Sequence, residues 1–154
     1  MNLRPSKKDD FTKLEKIYKS MVGEPFCAWT ENYPTIEDIE FDHEHGNLYI
    51  FENNDEIIGA VSVEENEDNS SSHCYISRIV IAKNHQGKGL AKEMVRSLAK
   101  ILDNKGYEII KLTVSKINIP AFKTYEKLGF EIVGEYMEHG VDEYICQAIV
   151  KNLI

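Results

Sequence analysis

Apolar residues along the chain recur with two different periods. Phe11, Leu14, Ile17, Tyr18 and Met21 fall at three- and four-residue spacing, which predicts an amphipathic helix that Gly23 and Pro25 stop. Residues 2–6 ahead of it read as a short strand. Beyond a loop through Phe26, Trp29 and Tyr33, Thr35 with Asp38 predicts the N-cap of a second, short helix ending near His43 to Gly46. Leu48 to Phe51 and Ile57 to Val63 are apolar runs joined by Glu52 to Glu56, the pattern of a hairpin. After a polar loop from Glu64 to Ser72, Tyr75 to Ala82 reads as a buried strand. Leu90, Met94, Val95, Leu98, Ile101 and Leu102 trace a long helix that Gly106 ends. Ile109, Ile110, Leu112 and Val114 make the next strand, and Asn118 to Leu128 a helix. Glu131 to Tyr136 and Tyr144 to Val150 close the chain as a hairpin around His139 and Gly140. Strands first, then helices alternating with strands, then a hairpin predict an α/β (α+β) chain with a mixed sheet and helices on its faces.

Composition narrows the class without naming a chemistry. The 154 residues suit one domain, 1–154, and 42% hydrophobic with 29% charged residues suits a folded chain. A formal net charge of −8 opposes the phosphate backbone, so no nucleic-acid partner is expected. The same charge reads as serving solubility before attraction of a cation, and no substrate follows from it. Cys27, Cys74 and Cys146 form no C-x-x-C pair and leave an odd count, reading as neutral thiols of a reducing compartment. Lys7, Lys8, Asp9 and Asp10 precede no long apolar run, so neither a signal peptide nor a membrane span is expected, and a cytoplasmic location is. His43, His45 and His73 lack metal-ligand spacing, and no metal is expected.

Gln86-Gly87-Lys88-Gly89-Leu90-Ala91 lies between the apolar Ile79-Val80-Ile81 and the long helix. Strand, glycine turn and helix is an anion-binding order of parts, because bare backbone N–H groups and the positive dipole end of a helix meet there. A plain turn uses the same residues, and both readings stand on this run alone. Gly89 after Lys88 rules out a Walker loop, and Lys92 occupies the place of the third glycine of a dinucleotide fingerprint.

Asn118-Ile119-Pro120 is a strong helix start, and Leu128-Gly129-Phe130 a glycine stop in which Phe130 packs back on Tyr125. Asn118, Ala121, Phe122 and Tyr125 share one helical face, which an extended ligand could touch and which, for the helix taken alone, reads first as a core-facing stripe. The glycine run after Ile79-Val80-Ile81, followed by Asn118-x-x-Ala121-x-x-x-Tyr125-x-x-Leu128-Gly129-Phe130, resembles the GNAT superfamily of N-acetyltransferases. The resemblance is close over residues 75–136 and looser elsewhere. It implies a central, largely antiparallel, twisted sheet of six to seven strands with a V-shaped splay between the fourth and fifth, flanked by about four helices. It also implies transfer of an acetyl group from acetyl-CoA to an amine, directly in a ternary complex.

Carried over by position, the resemblance makes Ile79, Val80 and Ile81 the strand whose backbone pairs with the pantetheine arm. Gln86, Gly87, Lys88, Gly89, Leu90, Ala91 and Lys92 become the pyrophosphate loop, and Asn118 a further cofactor contact. Tyr125 becomes both a cofactor contact and the acid facing the departing thiolate, since a phenol of pKa about 10 is protonated at neutral pH. An oxyanion donor is implied in the backbone near Val80 or Ile81. Thr113 stands where some members carry a Glu base, and Glu64, Glu65, His73 or ordered water are the alternatives. Cys74 reads as a buried strand thiol rather than a nucleophile.

Trp29 and Tyr33, with Phe26 nearby, are substrate-binding candidates as an aromatic wall around an amine, or else core residues. The expected partner is a small amine, amino-acid-like or polyamine-like, with a protein amine, a non-catalytic acyl-CoA-binding domain or a nucleotide module as alternatives. The last strands offer an edge across which a homodimer can pair.

Overall fold

The computed structural model describes residues 1–65, 72–138 and 140–154. Its first half runs β1 (Asn2–Pro5), α1 (Phe11–Met21), α2 (Ile36–Glu44), β2 (Leu48–Asn53), β3 (Glu56–Glu65) and β4 (His73–Ile81). Then come α3 (Leu90–Asn104), β5 (Ile109–Ser115), α4 (Ile119–Leu128), β6 (Glu131–Glu138), β7 (Val141–Ile149) and α5 (Val150–Leu153). The seven strands form one sheet in the order β1-β2-β3-β4-β5-β7-β6, antiparallel throughout except for β4 beside β5.

Local chemistry accounts for the boundaries. Thr35 and Asp38 form a capping box, the Thr35 N–H donating to Asp38 Oδ2 at 2.8 Å. Asn54 and Asp55 make a two-residue hairpin turn with φ of 51° and 67°, a conformation their short polar side chains tolerate. The loop expected from Glu64 begins later, because β3 keeps its pairing with β4 through Glu65. The remainder of that loop, the Glu65 side chain and His139 of the last hairpin lie outside the described residues. The final strand stops at Ile149 rather than at Val150. There the Val150 N–H donates to Glu108 O at 2.8 Å, and α5 turns Val150 and Leu153 into the core.

Two cores sandwich the sheet. On one face α3, α4 and α5 bury Met94, Leu98, Leu102, Tyr125, Leu128 and Val150 against β2, β3, β4, β5 and β7. On the other, α1 and α2 bury Leu14, Tyr18, Met21 and Ile39 against Leu48, Ile50, Ile57, Ala60 and Val80.

Strands β4 and β5 pair only at His73 with Ile109, Cys74 with Ile110 and Tyr75 with Lys111. Past those pairs β4 continues to Ile81 beside β3, and β5 to Ser115 beside β7, so the sheet opens between them. This is the V-shaped splay between fourth and fifth strands.

A bulge shapes the open part of β4. Ser77 faces Ser62 and Val80 faces Ala60, so Arg78 and Ile79 together oppose Val61. Arg78 takes the extra residue up in the left-handed region, with φ of 48°. The alternation of side chains then reverses: Cys74 and Ile76 lie in the α3 core, yet Val80 lies in the α1 core while Ile79 and Ile81 pack toward α3.

Gly59 lets β3 approach this segment. A Cβ there would stand 2.4 Å from the Val80 carbonyl oxygen and 2.9 Å from Ile81 Cδ1. Because the nearer atom is backbone, Gly59→Ala is expected to cost about 1–3 kcal/mol. A thermal melt checks it: an unshifted transition would mean that β3 and β4 spread apart at no cost.

Candidate active site

The loops carrying the two sequence motifs leave the carboxyl ends of β4 and β5, the parallel strands that diverge. Crevices outside the carboxyl ends of parallel strands are ligand sites in many sheets. Here the crevice has a glycine loop at one rim and the start of α4 at the other.

Gly87 and Gly89 have φ of 77° and 74°, and Gly89 is the N-cap of α3 without a side chain to accept a bond. Among the described residues no backbone group pairs with the N–H groups of Gly87 through Lys92, although α3 begins within that run. Leu90 buries its side chain in the α3 core, leaving only its backbone toward a ligand. Lys88 is exposed, an ammonium beside these amides. The Gln86 side chain turns back, donating from Nε2 to Ile81 O at 2.9 Å, and so ties the loop to the strand end.

Within β4 the ladder decides which polar groups face the crevice. The Ala82 N–H donates to Ile58 O at 2.7 Å. By alternation Val80, opposite Ala60, directs its N–H and C=O toward β3, and Ile81 directs its own away from it.

At the other rim Asn118 caps α4, its Oδ1 accepting from the Ala121 N–H at 3.3 Å, which leaves its amide donors uncommitted. Gly129 ends the helix with φ of 103°. The Phe130 N–H donates to Tyr125 O at 3.0 Å, and the two rings stand edge to face at 5.7 Å. Tyr125 is 6% exposed, and its hydroxyl makes no hydrogen bond to another described residue. Burial, with Cys146 nearby, pushes its pKa well above the ordinary phenol value.

The remaining candidates divide. Thr113 is exposed on β5 opposite Ile145, and a hydroxyl there cannot serve as a base at neutral pH. Glu64 is exposed and accepts from the Ser77 hydroxyl at 3.2 Å. His73 opens β4 beside Ile109, and Cys74 is fully buried. His43 is engaged with Ser6 at 2.7 Å and stacks edge-on with Phe11. Among the described residues no cluster of three His, Cys, Asp or Glu could hold a metal, and no helix is long and apolar enough to cross a membrane.

Trp29 is half-buried with its ring edge-on to Tyr18 at 5.3 Å, joined to the α1 core. Tyr33 is 42% exposed, and its hydroxyl accepts from Arg78 Nη1 at 2.9 Å.

Sequence reading passed over the partners of that arginine. Arg78 Nε donates to Asp42 Oδ2 at 2.9 Å, and Nη2 to Oδ1 and Oδ2 at 2.7 and 2.8 Å. The Ser62 hydroxyl donates to the same carboxylate at 2.7 Å. Burial alone would lower the Arg78 pKa, and its bonds to Asp42 and Tyr33 more than reverse that. The one signal available was a lone arginine inside an Ile- and Val-rich strand, which needs a buried anion.

Comparison with known proteins adds four findings. The model of the Acetyltransferase (GNAT) family matches residues 14–130. A Mus musculus protein, "Probable N-acetyltransferase family 8 member 5", is 24% identical over 84% of this chain and 60% of its own length. A "Probable spermine N(1)-acetyltransferase" of Bacillus subtilis subsp. natto is 36% identical over 47% of this chain and 48% of its own. The chain thus spans about half of these curated relatives. Among solved structures, spermidine N-acetyltransferase from Vibrio cholerae in complex with CoA and spermine superimposes with a TM-score of 0.78. It is 21% identical, with 99% of this chain and 96% of that one covered.

Proposed function

Because the chain belongs to the Acetyltransferase (GNAT) family, we propose that it transfers the acetyl group of acetyl-CoA to a primary amine of a small molecule. The observation that carries this is the pairing of the two rims of the opening between β4 and β5: amides after β4 and a neutral phenol on the helix after β5, neither with a hydrogen-bond partner among the described residues. A second support is the CoA and spermine named with the Vibrio cholerae structure. A polyamine-like or amino-acid-like acceptor also agrees with the net charge of −8.

The roles follow from chemistry. The amides of Gly87 to Lys92 hold the pyrophosphate, and Lys88 adds a point charge. The outward N–H of Ile81, whose carbonyl already accepts from the Gln86 side chain, faces the pantetheine arm, and the Asn118 amide supplies another donor. The neutral amine attacks the thioester carbonyl, a C–N bond forms as the C–S bond breaks, and the thiolate takes the Tyr125 proton. Water accepts the proton of the acceptor ammonium before attack, and the proton that the nitrogen sheds on amide formation returns through water to the Tyr125 phenolate.

Thr113, in place of a carboxylate, supports a second reading, a domain that binds acyl-CoA without turning it over. Thiol release from acetyl-CoA with spermidine, spermine, lysine and other primary amines separates the two. Amine-dependent release is expected. Binding of acetyl-CoA without release on any amine would favour the second reading, and absence of binding would remove both.

A further inference from the structure

Arg78 is a non-glycine residue at φ of 48°, a conformation that L side chains adopt at a cost. Its position is the one where β4 changes which face its side chains take, so the residues after it owe their direction to that bulge. Among them is Ile81, whose polar backbone faces the opening. Something has to hold the strained residue. The guanidinium is clamped by three bonds to Asp42 on α2, with side-chain exposures of 12% and 4%. Asp42 in turn is fixed by Ser62 on β3, and the fourth guanidinium bond reaches Tyr33. The buried Tyr18 hydroxyl closes the polar cluster from α1, with Ser62, Asp42, Arg78 and Tyr33 around it. Helix α2, β3 and β4 therefore meet at one side chain.

We propose that Arg78 is a positioning residue for acetyl-CoA: clamped to Asp42, it holds the left-handed bulge that sets which backbone groups of β4 face the cofactor opening. This rests on the acetyl-CoA reading given above. Arg78 touches neither cofactor nor acceptor in this role, and acts through the backbone beyond it.

The strain itself supplies a test. Arg78→Ala and Arg78→Gly both strand the Asp42 carboxylate to the same degree, but only glycine occupies positive φ freely. Acetyl-CoA affinity is read by titration calorimetry on the full chain, with circular dichroism to confirm folding. Arg78→Ala is expected to weaken acetyl-CoA about tenfold, because the bulge relaxes once unclamped. Arg78→Gly is expected to stay within about threefold of wild type, because the bulge persists. A merely structural ion pair would not separate the two. Equal affinities for Ala and Gly, whether both weakened or both unchanged, would overturn the proposal. Should the stranded carboxylate prevent folding, Asp42→Ser combined with each Arg78 variant removes the lone charge and reads the same ratio. A wild-type chain that binds no acetyl-CoA would instead overturn the functional reading itself, and this inference with it.

Discussion

Tyr125→Phe is expected to lower kcat about a hundredfold while the acetyl-CoA KM stays near its original value, in keeping with the loss of one general acid. The ring still fills its place against Phe130, so packing and cofactor affinity survive. Only the proton is lost. Its burial also sets the sign of a pH effect. Since burial raises the phenol pKa, Tyr125 stays protonated past the ordinary value of about 10, and no alkaline decline below that pH belongs to it. Steady-state thiol release across pH checks both statements. A variant that turns over at the wild-type rate would remove Tyr125 from the chemistry.

Asp42→Ala is expected to produce the largest loss of stability, about 3–5 kcal/mol, because it leaves a guanidinium buried without its partner. For a chain of this size that is roughly a 10 °C drop in Tm. The pair itself contributes less than this, since two charges must leave water to form it. Asp42→Leu with Arg78→Met should therefore recover much of the loss. Failure of the double variant to recover would show that Ser62 and Tyr33 need the charged pair as a scaffold.

Local chemistry made most of the fold legible. The period of α1, the Thr35 cap, the Asn118 cap and the Gly129 stop each act over a few residues, and each has a sequence signature. The splay was legible only through family resemblance, because strand divergence depends on pairing between segments far apart in the chain. The bulge at Arg78 was not legible at all. An apolar strand with one arginine gives no sign that its alternation reverses, and the partner, Asp42, lies 36 positions earlier on a helix whose Phe41 is exposed while Asp42 is buried. On the candidate site, spacing put Asn118 and Tyr125 on one helical face and the glycine run before α3, and the family resemblance alone implied their roles. The division of β4 into groups committed to β3 and groups free to bind needed the register. The aromatic pair Trp29 and Tyr33 separates for a similar reason: one ring finds the α1 core and the other an arginine.

The three residue pairs that join β4 to β5 leave the sheet with a narrow seam between its halves. On the acetyl-CoA reading, a ligand lying in the opening takes backbone partners from β4 and bridges that seam from within. Cofactor supply then acts on the life of the protein as well as on its turnover. By mass action a ligand at a hundred times its Kd adds about 2.7 kcal/mol to folding stability. That gain lowers the population of opened chains on which proteases act, so a cell rich in acetyl-CoA would hold more of this protein at the same rate of synthesis.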